Sequence, residues 1–234
     1  MRRSMTEFPF AIVGFDLDGT LLDTHRDLGA AVNHALGLAG RPPVPASEVR
    51  GLIGGGGRAM LKRALELAGG VPEEEFAALH EAFLSYYEAN IAVHSRLFDG
   101  GGAVLDALAR EGVKLAVVSN KLERLCVRVL DELGLSDRFY TVIGGDTLGP
   151  GRAKPARDPI DAMIARAGGG RAAFVGDTTY DTRAARAAGV PSIAVGFGFN
   201  DLPPGELGAD AVIGHFDELM AALANVQGEI KLCH

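Results

Sequence analysis

Tryptophan is absent from the 234-residue chain, and cysteine occurs only twice, at Cys126 and Cys233. Two thiols so far apart supply no disulfide framework, so stability must come from a buried apolar core and a reducing, cytoplasmic setting is expected. No apolar run is long enough to span a bilayer. The start, MRRSMTEFPF, carries two arginines but no apolar core of signal-peptide type, and whether Met1 or Met5 begins the natural chain stays open. No membrane partner is expected. Positive charge is in deficit: 23 Lys and Arg face 30 Asp and Glu, a net charge of -7. That balance excludes a general nucleic-acid surface. It leaves phosphate substrates open, because a metal ion and a few local cations can reverse the field inside a cleft.

What is present is ordinary for a globular enzyme, 47% apolar and 23% charged residues. The length suits one large domain, or a core with a smaller insert, as a monomer or homodimer. The 32 glycines cluster at element junctions and signal tight turns. One stretch organises the rest, Phe10 to Thr24, FAIVGFDLDGTLLDT. Its apolar start reads as a strand buried on both faces. Asp16 and Asp18 then stand at the strand's exit, where carboxylates are costly without compensation. Hard oxygen ligands point to Mg²⁺ as that compensation. Gly19 turns the chain.

From there to about residue 93 the pattern is helical only. Asp27–Leu38 has helical spacing, Pro42, Pro43 and Pro45 interrupt it, and the segment Gly51 to Arg58, with four consecutive glycines, must be a loop. Arg58–Ala68 and a segment from Pro72 to about Ala92 are helical again. Strand–helix alternation then returns. Strands are expected at Lys114–Val118, Thr141–Ile143, Arg171–Val175, Ser192–Val195 and Ala211–Ile213. Helices are expected at Gly100–Arg110, Leu122–Leu133, Pro159–Ala167, Thr179–Ala188 and Phe216–Asn225. Connections this short imply parallel strands with helices on both faces, and ligands of such sheets bind beyond the strands' carboxyl ends.

Four polar groups fall at that edge: Asp16/Asp18, Ser119-Asn120, Lys154-Pro155, and Asp177 with Asp181. Each alone is an ordinary loop, cap or solvated residue. Their joint occurrence, each just past an expected strand, is specific. DLDGT, VVSN, KP and GDTTYD resemble the four motifs of the haloacid dehalogenase-like hydrolases. Asp23-Thr24, Asp27-Leu28, Ala31-Val32-Asn33, the Gly54–Arg58 loop, Phe98-Asp99-Gly100 and the segment Val142 to Leu148 are similar to the phosphoglycolate phosphatase branch. That branch usually continues Lys-Pro with His-Pro, whereas this chain reads Pro155-Ala156-Arg157 and keeps Pro159.

The resemblance covers nearly the whole chain. It implies an α/β, Rossmann-like doubly wound parallel-sheet core (residues 1–23 and 94–234) with an inserted α-helical cap domain (24–93). It implies a Mg²⁺-dependent phosphomonoester hydrolase acting on a small phosphorylated metabolite, 2-phosphoglycolate first. In that reading Asp16 is the nucleophile and Asp18 the proton shuttle, with Ser119 and Lys154 completing the catalytic set. Asp16, Asp18 (through its backbone oxygen), Asp177 and Asp181 serve the metal. Gly19, Thr20, Ser119 and Asn120 hold phosphoryl oxygens, and Arg58 on the cap binds a substrate carboxylate. The blander readings place His25 at a polar hinge, His94 on linker surface, Cys126 on a packed helix face, and Tyr86 and Tyr87 in cap packing. The competing functions are a sugar phosphomutase similar to β-phosphoglucomutase, a phosphatase for another metabolite or pyrophosphate, and a phosphate sensor without chemistry.

Overall fold

The structure is a computed structural model that describes residues 8–226. Met1, Met5 and the tail GEIKLCH, with Cys233, lie outside the described residues.

The opening strand, β1 (Ile12–Phe15), is buried along its whole length. It pairs in parallel with β4 (Lys114–Val118) on one side and β6 (Ala172–Gly176) on the other. A strand covered on both faces and both edges needs no polar alternation, hence the plain apolar run in its sequence. Beyond β4 lies β5 (Thr141–Ile143); beyond β6 lie β7 (Ser192–Val195) and β8 (Ala211–Ile213). All five pairings are parallel, and the order is β5-β4-β1-β6-β7-β8. The chain winds outward one way through β4 and β5, then the other way through β6, β7 and β8. The reversal sits at β1, where open parallel sheets form a crevice at their carboxyl edge.

The pleat divides the core. Ile12, Ala116, Val118 and Phe174 face α7 (Asp158–Arg166) and α8 (Thr179–Ala188), where Ile160, Met163, Ala184 and Ala185 are buried. Val13, Phe15, Val117 and Val175 face the opposite way. There α5 (Gly101–Arg110), α6 (Glu123–Glu132) and α9 (Leu219–Asn225) bury Leu105, Leu108, Val129, Leu130 and Leu223. Alternate side chains thus feed two apolar layers, as strand geometry requires. The last expected helix is broken: a 3₁₀ turn at Phe216–Glu218 precedes α9.

Between β1 and α5 the chain makes α1 (His25–Leu38), the single turn α2 (Ala46–Val49), α3 (Gly57–Leu67) and α4 (Glu73–Ala89). They bury Val32, Leu36, Leu61, Leu65, Leu79 and Phe83 among themselves. Residues 24–93 hold no strand, as expected, but a short ribbon that the sequence reading did not include flanks them. β2 (Leu22–Asp23) and β3 (Arg96–Leu97) pair antiparallel, Leu22 with Leu97 and Asp23 with Arg96, so the outgoing and returning chains run side by side. Asp27 fastens the return: its carboxylate accepts from the His94 and Ser95 amides and the Ser95 hydroxyl at 2.7–3.1 Å.

Candidate active site

Asp16 continues the ladder one residue past β1, its amide donating to the Val175 carbonyl at 2.8 Å. Leu17 to Leu22 then form a tight turn closed by Gly19 N–H to Leu22 O, with Gly19 at φ +82°. Glycine is required twice over here. The φ is left-handed, and a Cβ at this position would lie 2.2 Å from Asp177 Oδ2. The second acid strand, β6, delivers Asp177, and α8 delivers Asp181 from its first turn.

The carboxylates of Asp16, Asp177 and Asp181 come together, each offering an oxygen within 4.8 Å of the others, and all three are buried. Lys154 lies among them, 2.8 Å from Asp16 Oδ1 and 2.6 Å from Asp181 Oδ1. Three buried carboxylates and one ammonium leave an excess of negative charge that the low-dielectric interior resists. Burial, with Asp181 and Asp18 close by, pushes the Asp16 carboxyl up to about 6 even though Lys154 pulls it down. Burial, reinforced by Asp181 and Asp16, also raises Asp177 well above the usual carboxylate range. For Lys154, burial disfavours the charge, but Asp16 and Asp181 hold it protonated.

A divalent cation fits this donor set. The ligands are hard carboxylate oxygens. Asp16 Oδ1 forms an ion pair with Lys154 yet has no hydrogen-bond partner of proper geometry, so a buried oxygen is left open. The remaining oxygens are tightly aimed. Thr20 Oγ1 donates to Asp177 Oδ1 at 3.0 Å and the Phe199 amide to Asp177 Oδ2 at 2.7 Å. Asp181 Oδ2 accepts from the Thr178 amide and hydroxyl at 2.9 and 2.7 Å, which caps α8. An acid in a helix's first turn thus serves the cap and the cluster together.

Asp18 faces elsewhere. Its Oδ1 accepts from the Thr24 hydroxyl at 2.7 Å and from Lys121 Nζ at 2.5 Å. It lines a cavity of about 370 Å³, as do Asp16, Ser119, Asn120, Lys121 and Lys154. The roof comes from the helical insert: the Gly54–Gly57 loop, Arg58, His80, Phe83 and Tyr87. The loop presses on the core. Gly56, at φ +86°, could not carry a Cβ without approaching the Asn120 carbonyl to 2.9 Å. Asn120 Nδ2 donates to the Gly54 carbonyl at 3.2 Å and to the Lys154 carbonyl at 3.0 Å, so one side chain ties the loop to the lysine's backbone.

The expected residues converge, and the structure adds detail at Thr20, Gly19 and Tyr87. Thr20 is fully buried and spends its hydroxyl on Asp177, so its side chain orients an acid rather than meeting a phosphate. Gly19 packs against the same carboxylate and is not among the residues that line the cavity. Tyr87 does more than pack: its hydroxyl accepts from Lys121 Nζ at 2.9 Å. Lys121 itself is absent from the expected set. A lysine after Ser-Asn reads as solvated, and only the tertiary pairing with Asp18 shows it to be buried. Arg58 does reach the cavity rim, where its guanidinium stacks over the Phe76 ring at 4.6 Å. No carboxylate lies within 4 Å of it among the described residues. Beside it, burial and the Arg58 charge lower the His80 imidazole's pKa.

Comparisons with known proteins agree with this arrangement. Residues 13–195 match the sequence profile of the haloacid dehalogenase-like hydrolases. The chain belongs to that family, and within it falls among the phosphatases. Over 218 residues it is 43% identical to a phosphoglycolate phosphatase of Agrobacterium fabrum, covering 92% of each chain. A phosphoglycolate phosphatase of Caulobacter vibrioides is also 43% identical over 209 residues, 88% of this chain and 87% of that one. Among solved structures, one described as a predicted phosphoglycolate phosphatase from Haemophilus somnus superposes with a TM-score of 0.86 at 30% identity, covering 93% of this chain and 99% of that one.

Proposed function

We propose that the chain is a Mg²⁺-dependent phosphomonoester phosphatase that works through an aspartyl phosphate on Asp16, with 2-phosphoglycolate as its substrate. The observation that carries the reading is the cavity floor: a buried nucleophile candidate, Asp16, set between Lys154, two further carboxylates and a second, differently partnered acid, Asp18. In this reading residues 24–93 act as a cap over a core of residues 1–23 and 94–234.

Asp16, Asp177 and the Asp18 backbone carbonyl would hold Mg²⁺, with Asp181 fixing the set through Lys154 and the α8 cap. When bound, the ion screens the dianionic phosphate and keeps Asp16 ionised. Asp16 attacks phosphorus in line, the ester P–O bond breaks, and its electron pair goes to the leaving oxygen. Asp18 gives that oxygen a proton. Water then attacks the phosphoryl group and loses a proton to Asp18, and the bond to Asp16 breaks to release phosphate. Lys154, the Ser119 hydroxyl and the Asn120 amide stabilise the phosphoryl oxygens. The two neighbouring acids stand in different settings, Asp16 among carboxylates and Lys154, and Asp18 beside a separate lysine.

The substrate assignment rests on the relatives named phosphoglycolate phosphatase and on two further cations, Lys121 and Arg58, lining a cavity at the small end of the usual range for ligand sites. A phosphate-release screen with Mg²⁺ over 2-phosphoglycolate, hexose phosphates, nucleotides and pyrophosphate tests it. The highest kcat/KM is expected on 2-phosphoglycolate. Interconversion of glucose 1- and 6-phosphate without phosphate release would replace the reading with a phosphomutase. Pure, folded protein that hydrolyses none of these esters would leave a phosphate-binding protein without chemistry.

A further inference from the structure

The cavity floor holds two buried lysines, and each serves a different acid. Lys154 pairs with Asp16 and Asp181, and Lys121 pairs with Asp18. Only about a twentieth of the Lys121 side chain is exposed, yet it lines the cavity. It is also where the core meets the roof, since Tyr87 belongs to α4. An ammonium has three donors. Among the described residues two are taken, by Asp18 Oδ1 at 2.5 Å and Tyr87 Oη at 2.9 Å. A buried ammonium is costly to maintain with one donor unmatched.

We propose that Lys121 determines specificity by binding an anionic group on the leaving part of the substrate, so that Lys154 reads the phosphoryl end and Lys121 the acid end. This rests on the phosphatase reading above and deepens it. The argument is positional. Asp18 hands its proton to the leaving oxygen, and Lys121 Nζ is one hydrogen bond from Asp18. In 2-phosphoglycolate the carbon bearing the leaving oxygen also bears the carboxylate. An ammonium beside Asp18 is therefore placed against that carboxylate, whereas Arg58 stands on the exposed rim. Tyr87 fixes the lysine from the roof, so the acid end is recognised at the seam of core and insert.

The test compares 2-phosphoglycolate with 2-hydroxyethyl phosphate, which keeps the ester and replaces the carboxylate by a neutral hydroxymethyl group. Lys121→Met disturbs Asp18 and is expected to slow both. The readout is the ratio of kcat/KM values, acid over neutral ester. It should fall at least tenfold, with most of the extra loss in KM. Tyr87→Phe keeps the buried ring and removes the hydroxyl; it should lower the same ratio severalfold, and it carries the test if Lys121→Met does not fold. An unchanged ratio in the folded variants overturns the inference while leaving the phosphatase reading intact, because it means that Lys121 only orients Asp18. A wild-type enzyme that hydrolyses both esters without preferring the acid overturns both this inference and the 2-phosphoglycolate assignment. Wild-type protein inactive on both, but active on another ester, does the same and spares the reaction class.

Discussion

The floor and the roof of the cavity are held by different kinds of interaction. On the floor, Asp16, Asp177, Asp181 and Lys154 are buried, and each is held by hydrogen bonds or ion pairs among the turns and loops at the carboxyl edge of the sheet. Removing one partner of such a cluster strands a buried charge, at a cost of about 3–5 kcal/mol. The roof is looser. Arg58 is exposed and stacks on Phe76, and the glycine loop, though packed against the core, is hydrogen-bonded to it through one side-chain amide, that of Asn120. Around the rim, Arg124 and Arg128 of α6 reach Glu88 of α4, but these partly exposed pairs are worth at most about 1 kcal/mol. The contrast separates two tasks. The floor is over-determined, as chemistry needs, and the roof can shift at small cost, as admission and release of a substrate need.

The sharpest way to break this division is at the proposed nucleophile. Asp16→Asn is expected to cut turnover at least about a hundredfold, with the fold retained by circular dichroism. Activity above that level would remove Asp16 from the role. A smaller effect concerns the metal. Asp16 is raised to about 6 from its ordinary value of 3.8, so its neutral form favours the fold. That contribution is full below the ordinary value and is lost as pH rises through about 6. Mg²⁺ favours the ionised cluster, so its stabilisation, about 2.7 kcal/mol at a hundredfold excess over Kd, should appear as a larger Tm gain at about pH 7.5 than at about pH 5. Equal gains at the two values would show that Asp16 does not ligate the ion. The smallest effect belongs to the roof. Arg58→Ala should raise KM for 2-phosphoglycolate by roughly three- to tenfold and leave kcat nearly unchanged, because the lost contact is an exposed one. An equal rise for 2-hydroxyethyl phosphate would mean that Arg58 attracts phosphate rather than the carboxylate.

The elements of floor and roof alike were legible in the sequence, and the long-range pairings between them were not. β4, β5, β7, β8 and α8 fall on the expected residues because buried strands and a Thr-capped helix leave local signals. Asp16, Asp177 and Lys154 follow such strands or stand in the loops beside them, so their convergence comes from topology alone. The ribbon of β2 and β3 has two residues per strand, too few for any periodicity to show. Lys121 and Tyr87 lie far apart in sequence, and neither position carries a mark of the other. The Thr20 hydroxyl was misread for the same reason: its partner, Asp177, is 157 residues away. Pairings of that range are set by packing, which no local pattern encodes.

That short ribbon has a consequence for how such an enzyme can be rebuilt. Because Leu22 stands opposite Leu97, the chain leaves the sheet core and re-enters it at almost one point. The intervening helices are a cassette with both ends in one socket. A tight turn of roughly two residues would bridge the strands in their place. A helical unit of different length could equally be spliced in without moving Asp16, whose position depends on β4 and β6. New substrate preferences can therefore be grafted onto an unchanged reaction centre.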